Sequence, residues 1–379
     1  MRKSNLVRLM LVLSLIGLLA WTVGGVTQVA ALKGSDIGIG RYIIEDIQMC
    51  GDGATAYMVG IANSDDAQLY KYDLTQDKVV GICDVGVLYG PRGGRGLALN
   101  ADCTSAYVIN YPSNTVSVID LAGTEWAEPG AEEIPACTSA AEIPVDPKPT
   151  AVLIAGSYLV VTNSLSDEVT VIDTSTNEVV CTAAEVGFGP NSLVFLNQPY
   201  LKTLGEPLVL VVNAYDDTIA SINPIPKDSD CVVFKEEVTG LDRTPWGIVA
   251  TPDLRKAYTV NYAADAVDVI DLVGLDAGKA KIYKSIPVGD TPRYIAISSD
   301  GRFVFAVNTI DKTISVISTA TDEVIETIEV LPATEPAPIG VIALTPDNNY
   351  LYVFWTGGRS GTPADFILYK FDLSPLYRP

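Results

Sequence analysis

A tetrapeptide of the type Tyr-Val-Ile-Asn recurs at an almost constant interval, and this periodicity constrains the fold more than any other feature. Its last position falls at seven places that are 47 to 53 residues apart: Gly60, Asn110, Asn163, Asn213, Asn261, Asn308 and Trp355. A second motif, of the type Val-x-Val-Ile-Asp, follows each copy and ends at Asp73, Asp120, Asp173, Asn223, Asp271, Ser318 and Asp372. Repeats of this length built from short β-rich runs are typical of propeller blades.

The unit that contains Asn308 shows the local pattern. Apolar runs at 293–298, 303–307, 313–317 and 323–330 are separated by polar turns, and β-branched residues are frequent in these runs. We therefore predict a four-stranded antiparallel meander, with strands named A to D from the inside outward. Such a sheet has two apolar faces and must stack against copies of itself, and a closed ring achieves this without a terminal cap.

The two ends of the repeat array predict how the ring closes. The seventh unit shows a third run near 366–371 but no strand D after it. The first unit is preceded by a surplus apolar segment, Ile37 to Ile43. We predict that this segment completes the last blade of an all-β, seven-bladed propeller of four-stranded antiparallel blades. A loose N-terminal linker is the alternative.

The motif copies at Tyr107 to Asp120, Val160 to Asp173 and Tyr258 to Asp271 resemble the YVTN-repeat family of seven-bladed propellers. The resemblance covers about residues 37–374, which we expect to form a single domain. It implies a protein of the extracytoplasmic or surface-layer type, with relatives among haem-binding and lactone-processing propellers. Because one fold can host many functions, the resemblance is specific for the fold and weak for the function.

The first residues predict export. Basic residues precede an apolar stretch from Leu9 to Val26, and small residues end at Ala31, which is the pattern of a signal peptide over residues 1–31. An uncleaved membrane anchor is the alternative. Cleavage would remove three positive charges and change the formal net charge from −21 to −24. So acidic a chain repels nucleic acid, and we expect a protein or glycan partner at the cell surface or in the periplasm.

The chain has six cysteines, and in an exported protein these suggest disulfides. A–B and C–D turns share one rim of a meander, so Cys103 in the second A–B turn and Cys137 in the C–D insertion of the same blade are predicted to pair. Cys181 and Cys231 begin strand D in adjacent blades and are a weaker candidate pair. Two cysteines of one blade are left over, with buried free thiols as the alternative: Cys50 and Cys83.

The chain contains no histidine. Ser-His-Asp hydrolysis, histidine-ligated zinc and histidine-bound haem all need an imidazole, so these functions are excluded. We expect no haem and no resident cofactor, and we assign no catalytic residue. A carboxylate can still act as a general acid or base if burial or neighbouring groups shift its pKa.

One candidate ligand site lies at the starts of the innermost strands, where we expect the aligned residues to line one mouth of the central channel. These residues are Glu45, Arg95, Thr150, Asn191, Trp246, Arg293 and Ile339. Guanidinium groups and an indole face suit a small carboxylate or a sugar acid. The predicted ligand-binding residues are Arg95, Trp246, Arg293, Glu45 and Asn191. The alternative is that the arginines pair with local acids such as Asp242 and Asp290.

A second constellation is acidic and belongs to the B–C turns, which share a rim with this mouth. Its members are Asp65, Asp66, Asp167, Glu168, Asp216, Asp217, Asp265, Asp311 and Asp365. Oxygen-only clusters suit Ca²⁺, but no Asp-x-Asp-x-Asp-Gly loop is present. Solvated turn carboxylates are the alternative, and we assign no metal ligand.

Three functions are compatible with these observations. The first is a non-enzymatic extracytoplasmic scaffold that binds a protein, a glycan or a small anionic ligand. The second is a lactone hydrolase or lyase that uses Arg95, Arg293 and Glu45 without histidine. The third is a structural component of a cell-surface layer. We predict the first, because it needs no catalytic group and the missing histidines do not affect it.

Overall fold

The structure is a computed structural model of the 379-residue chain. It describes residues 34–38, 43–61, 66–87, 96–183, 185–197, 207–227, 230–238, 241, 244–273, 280–330, 339–355 and 367–377. The predicted signal peptide lies outside these residues. A membrane-spanning helix, one both long enough and apolar enough, is absent from the described part of the chain.

Within the described residues, 28 strands form seven four-stranded antiparallel sheets, which confirms the predicted all-β propeller of seven blades. Blade 1 contains β2 (Ile43–Met49), β3 (Thr55–Ile61), β4 (Asp66–Asp73) and β5 (Lys78–Val87). Blade 2 contains β6 (Leu97–Leu99), β7 (Ser105–Asn110), β8 (Thr115–Asp120) and β9 (Ser139–Pro144). Blade 3 contains β10 (Pro149–Ala155), β11 (Tyr158–Asn163), β12 (Glu168–Asp173) and β13 (Glu178–Ala183).

Blade 4 contains β14 (Pro190–Leu196), β15 (Leu208–Asn213), β16 (Thr218–Lys227) and β17 (Asp230–Val238). Blade 5 contains β18 (Pro245–Ala250), β19 (Lys256–Asn261), β20 (Ala266–Asp271) and β21 (Lys281–Pro287). Blade 6 contains β22 (Pro292–Ile297), β23 (Phe303–Asn308), β24 (Thr313–Ser318) and β25 (Glu323–Glu329). Blade 7 contains β26 (Ile339–Leu344), β27 (Tyr350–Trp355), β28 (Ile367–Asp372) and β1 (Gly34–Gly38). A short 3-10 helix, Ser374–Tyr377, follows β28.

The ring closes through β1, which pairs antiparallel with β28 and places Ile37 opposite Leu368. Closure by an N-terminal strand is therefore confirmed, but the predicted bounds are wrong. The strand spans Gly34–Gly38, and Ile43 already begins the inner strand of blade 1. Sheet pairing uses backbone groups, so glycine and serine residues can form the strand. The apolar pattern therefore predicted a strand too far along the chain.

Stacking of the blades produces the core. The inner strands contact one another in ring order, from β2 through β6, β10, β14, β18, β22 and β26 back to β2. The described buried apolar side chains form seven clusters, and each cluster is shared by two adjacent blades. Each blade therefore buries both of its faces against the neighbouring blades, as expected for stacked repeats.

Three disulfides join neighbouring blades. Cys181–Cys231 joins blades 3 and 4, as predicted. The predicted pairing of Cys103 with Cys137 is wrong, because two other bonds join blades 1 and 2: Cys50–Cys103 and Cys83–Cys137. None of the six cysteines is a free thiol. Three disulfides indicate folding in an oxidising environment.

The pairing error has its cause in the C–D insertion of blade 2. The insertion does not fold back on its own blade but runs along the outer strand of blade 1, where Ile82 and Ala127 exchange backbone hydrogen bonds of 2.9 Å. Cys137 therefore lies beside Cys83 on β5. Cys103 stays in its A–B turn, where the end of β2 presents Cys50.

Two ionic clusters link neighbouring blades on the rim of the C–D turns. Asp322, at the end of the C–D turn of blade 6, accepts three hydrogen bonds from blade 5: Lys256 Nζ at 2.7 Å, Tyr258 OH at 2.5 Å and Tyr283 OH at 2.6 Å. The C–D turn of blade 1 makes the equivalent contact with blade 7, through Asp77 to Lys370 Nζ at 2.8 Å and to Tyr352 OH at 2.9 Å. Both aspartates have positive φ.

Replacing Asp322 with alanine should lower the free energy of unfolding by about 2–4 kcal/mol at pH 7, because the fully buried Tyr258 hydroxyl would lose its partner and Lys256 would keep only the Thr319 carbonyl. Burial raises the pKa of the Asp322 carboxyl, but hydrogen bonds from Lys256, Tyr258 and Tyr283 outweigh burial, so the pKa lies below its ordinary value. A lowered folded-state pKa stabilises the protein above the unfolded-state pKa, and this stabilisation is lost as the pH falls through the folded-state value.

Urea unfolding of wild type and Asp322→Ala at pH 7 and at more acidic pH tests this prediction. The destabilisation should shrink as the pH falls below the ordinary carboxyl range. Glu323→Ala is the matched control, because Glu323 is an exposed neighbouring carboxylate. An equal loss of stability in both variants, or a loss that does not depend on pH, would contradict the assignment.

Candidate functional site

The inner strands open with a β-bulge at the position that the sequence alignment singled out. The pairing of strands A and B skips one residue in five blades: Glu45, Thr150, Asn191, Trp246 and Arg293. A bulged residue leaves the ladder, and its side chain is aimed differently from its neighbours. In blades 3 to 6 the residue before the bulge is proline, which has no amide hydrogen to give to a ladder. In blade 7 the skipped positions are 340 and 341, so Ile339 itself pairs with Trp355.

Trp246 and Arg293 come together on adjacent inner strands. Arg293 Cζ lies 4.8 Å from the centre of the Trp246 ring and 5.9 Å from the Tyr294 ring. Gly247 makes this approach feasible, because a Cβ there would lie 3.0 Å from Ile295 Cγ2 and 3.4 Å from the Arg293 carbonyl oxygen. The Trp-Gly pair of β18 therefore stacks the guanidinium of β22 on an indole face.

This pair lines a cavity of about 370 Å³ in the central channel. The walls are the inner strands of blades 1, 4, 5, 6 and 7, and the polar lining includes Asp46, Gln48, Ser192 and Tyr294. A cavity of this size falls in the range that accommodates small ligands. Tyr262, on the B–C turn of blade 5, lies 6.0 Å from Trp246 and extends the aromatic surface outward.

The other predicted ligand-binding residues are arranged differently. Glu45 does not line the cavity, although its charge raises the pKa of Tyr294. Asn191 is buried and also lies outside the cavity lining. Thr150 links blade 3 to blade 4, because its hydroxyl donates to the Pro190 carbonyl at 2.8 Å. Arg95 lies outside the described residues, so its place at the mouth stays a prediction.

The guanidinium of Arg293 is available to a ligand. Its Nε atom is buried and has no hydrogen-bond partner in the structure. The predicted alternative was pairing with Asp290, but that carboxylate accepts a hydrogen bond from the Thr291 hydroxyl at 2.6 Å, and the described contacts of Arg293 are with aromatic rings. The other acid named for this role, Asp242, lies outside the described residues. A buried N–H donor without a partner favours an acceptor ligand.

One group in the channel wall, Tyr294, can supplement Arg293, and a second, Asp46, has a structural role. Removal from solvent raises the pKa of Tyr294 to about 12; the Arg293 charge lowers it, and the charges of Glu45 and Asp46 raise it. Tyr294 is therefore a neutral hydroxyl donor at neutral pH. Asp46 accepts hydrogen bonds from the amides of Ile47 at 2.7 Å and Leu97 at 3.0 Å, so it clips blade 1 to blade 2.

We call the surface formed by the B–C turns and the D–A connections the B–C face, and its carboxylates are used to fix its loops. In three successive blades a B–C turn carboxylate accepts the amide of the following D–A connection: Asp167 from Gly189 at 2.9 Å, Asp217 from Thr244 at 2.6 Å and Asp265 from Thr291 at 2.8 Å. Both residues of each pair have positive φ. The sequence analysis missed this clip, although the recurrence of an acid four residues after the motif asparagine was a usable signal.

Two further carboxylates bind the connection that precedes their own blade. Asp216 accepts the amide of Phe188, and Asp311 accepts the amide of Asp290. No group of three or more metal-ligating side chains occurs among the residues that the structure describes. Asp65 and Asp365 of the predicted Ca²⁺ constellation lie outside them. Five acids of this constellation therefore hold backbone amides of neighbouring connections: Asp167, Asp216, Asp217, Asp265 and Asp311.

Comparisons with known proteins agree with the fold. A family model described as "Lactonase, 7-bladed beta-propeller" matches residues 217–360, less than half of the chain. Hydrazine synthase of Kuenenia stuttgartiensis is similar in structure, with a TM-score of 0.59 at 18% sequence identity, over 82% of this chain and 92% of that chain. No curated protein matches. The matched family segment contains both Trp246 and Arg293.

Proposed function

We propose that the protein binds a small carboxylate at the channel mouth. The observation that carries this proposal is the Arg293 guanidinium, which stacks on Trp246 at 4.8 Å, lines the cavity and keeps an unpartnered Nε donor. A guanidinium donates to a carboxylate in a fixed fork, and Tyr294 adds a neutral hydroxyl donor. A sugar acid fits this site better than a simple carboxylate, because the Trp246 and Tyr262 rings offer faces for the apolar side of a sugar ring.

The acidity of the chain does not prevent anion binding in the channel. The formal net charge is −21, but charges farther away than the Debye length of about 8 Å are largely screened at physiological salt. Inside the channel, by contrast, the Arg293 guanidinium lies against the Trp246 and Tyr294 rings. Local attraction therefore decides the affinity.

Replacing Arg293 with alanine should weaken carboxylate binding by roughly tenfold to more than a hundredfold, because a hydrogen bond to a charged group contributes about 1.5–3 kcal/mol. Calorimetry with sugar acids and dicarboxylates measures this. Arg302→Ala is the matched control, because Arg302 also stacks on two aromatic rings, Phe303 and Tyr377, each at 5.2 Å, but belongs to an A–B turn. Arg95→Ala tests separately whether a second arginine takes part. Equal affinities of wild type and Arg293→Ala would overturn the proposal.

A second candidate function is lactone hydrolysis, which the family match over residues 217–360 favours. Water would add to the lactone carbonyl, the ring C–O bond would break, and a hydroxy acid would leave. Arg293 would stabilise the oxyanion, and Asp46 would replace the predicted Glu45 as general base because Asp46 lines the cavity. Both Asp46 oxygens already accept amide hydrogen bonds, which weakens the base, so we rank binding first. Acid release from added sugar lactones distinguishes turnover from binding.

We also propose that the chain is an exported member of the YVTN-repeat family. The in-phase motif copies and the seven-sheet architecture support membership. The three disulfides and the leader pattern over residues 1–31 support export to the periplasm, the cell surface or the medium. Sequencing the N-terminus of the mature protein tests the cleavage after Ala31.

A further inference from the structure

The B–C face carries large apolar side chains that project into solvent. Five of them, in blades 3 to 6 and their connections, are 40% to 65% exposed: Leu165, Phe188, Tyr215, Tyr262 and Ile310. We call these residues the apolar arc. Loop tips favour small and polar residues, so apolar side chains repeated at the tips of successive turns need an explanation. Exposed apolar patches bordered by polar groups mark interaction sites.

The arc is held in place before any partner arrives. Asp216 accepts the amide of Phe188, and the Phe188 ring lies 5.4 Å from the ring of Tyr215. Gly189 allows this contact, because a Cβ there would lie 2.2 Å from the Tyr215 ring. The amide clips at Asp167 and Asp265 fix the turns on either side. Side chains that are already ordered lose little entropy on binding.

Among the described residues, the charge around the arc is mostly negative. The turns and connections between blades 3 and 6 that the structure describes carry eight carboxylates: Asp167, Glu168, Glu185, Asp216, Asp217, Asp265, Asp290 and Asp311. Their described basic residue is Lys312, which is only 8% exposed. The exposed Lys148, in the connection that enters blade 3, borders the arc because its carbonyl accepts the Ser164 amide. Each of the apolar turns therefore presents an apolar side chain beside a carboxylate. A partner must supply apolar contacts and positive charge together.

We propose that the apolar arc and its carboxylates dock a basic polypeptide segment of another protein, in which lysine or arginine alternates with apolar residues. The apolar side chains of the segment pack on Tyr215, Phe188 and Leu165, and its cations lie against the flanking carboxylates. This surface lies outside the cavity, where Arg293 favours an anion, although Tyr262 borders both. A glycan laid on the aromatic rings is the competing occupant, but it would leave the carboxylates without counter-charges.

Peptide binding to the purified protein tests the proposal, with three short probes of alternating composition: lysine and leucine, lysine and serine, glutamate and leucine. Fluorescence anisotropy at several salt concentrations gives the affinities. The lysine–leucine peptide should bind about tenfold or more tightly than either other probe, because both apolar and ionic contacts are needed. Added salt should weaken its binding.

Paired variants locate the site. Leu165→Ser with Tyr215→Ser should weaken the lysine–leucine peptide by about tenfold or more. Val179→Ser with Ile325→Ser is the control, because these side chains are 43% and 37% exposed on outer strands away from the B–C face. Melting curves confirm folding of each variant. If the first pair does not fold, Ile310→Ser with Glu168→Gln makes the same comparison.

Several results would overturn the proposal. These are equal affinities of the arc and control variants, equal binding of the lysine–serine and lysine–leucine peptides, and no peptide binding at all. Binding of a neutral glucose oligosaccharide that needs Tyr215, without peptide binding, would assign the surface to a glycan. Arg293→Ala should leave peptide binding unchanged, so failure of the channel site and failure of the docking surface are distinguishable.

Discussion

A chain that begins at residue 43 instead of residue 34 will lose about 2–6 kcal/mol of its free energy of unfolding. The five paired positions of β1 and β28 supply roughly four backbone hydrogen bonds, since alternate residues exchange them, and each contributes about 0.5–1.5 kcal/mol. This loss of stability affects blade 7, whose strands come from both ends of the repeat array. Urea unfolding of the two chains measures it. Hydrogen exchange should show lost protection in β28.

A length-matched test keeps β1 and disrupts its pairing. Proline at both Asp36 and Ile37 must remove at least one ladder hydrogen bond, because successive amides of an edge strand alternate between partner and solvent. The exposed edge of β28 should also promote association at high protein concentration. If neither change alters stability or the exchange of β28, closure through β1 is not what holds the ring together.

The sequence predicted the fold because residues with the same structural role recur at the same position in successive blades. The asparagine at the end of strand B has the same role in several blades: Asn163 Nδ2 donates to Thr170 Oγ1 at 2.8 Å, and Asn308 Nδ2 donates to Ser315 Oγ at 2.9 Å. Each contact joins strands B and C of its blade. A residue with the same structural role in each repeat leaves a periodic trace, and such traces are readable without a structure.

The site was only partly predictable, because periodicity identifies equivalent backbone positions but not the side chains around them. Alignment identified Trp246 and Arg293 as equivalent to Glu45 and Asn191, and the bulges confirm that equivalence. Equivalent backbone positions do not give equivalent surroundings, however. Gly247 lets blades 5 and 6 approach and builds the Trp246–Arg293 stack, while Asn191 is buried outside the cavity. Such differences depend on neighbours in other blades, which no local pattern contains.

Departures from the repeat were the hardest features to predict. The C–D insertion of blade 2 is much longer than the C–D connections that follow β4, β12, β20 and β24, so periodicity says nothing about its direction. The structure shows that its Trp126 packs on Tyr57 of blade 1 at 5.8 Å, where Gly81 leaves room for the ring. Burial of an aromatic side chain against the neighbouring blade therefore decides the course of the insertion.

The Cys83–Cys137 bond fixes the end of this insertion on blade 1. Replacing both cysteines with alanine should cost about 4 kcal/mol, because the chain-entropy model assigns roughly that amount to a closed loop of this length, and the two residues are 54 positions apart. The insertion should also loosen, since the bond anchors its end to β5. Urea unfolding measures the first effect, and hydrogen exchange at Ile82 and Ala127 measures the second.

The matched control is the double replacement of Cys181 and Cys231. Their disulfide joins blades 3 and 4 across a sequence separation of 50 residues. The chain-entropy model gives this bond nearly the same stabilisation, about 4 kcal/mol. Because Cys181–Cys231 anchors no insertion, exchange at Ile82 should not change in the control. Peptide mapping of the unreduced protein should recover Cys83 linked to Cys137. A fragment that links Cys103 to Cys137 would instead mean that the insertion folds back on its own blade, and the packing of Trp126 against blade 1 would then be wrong as well.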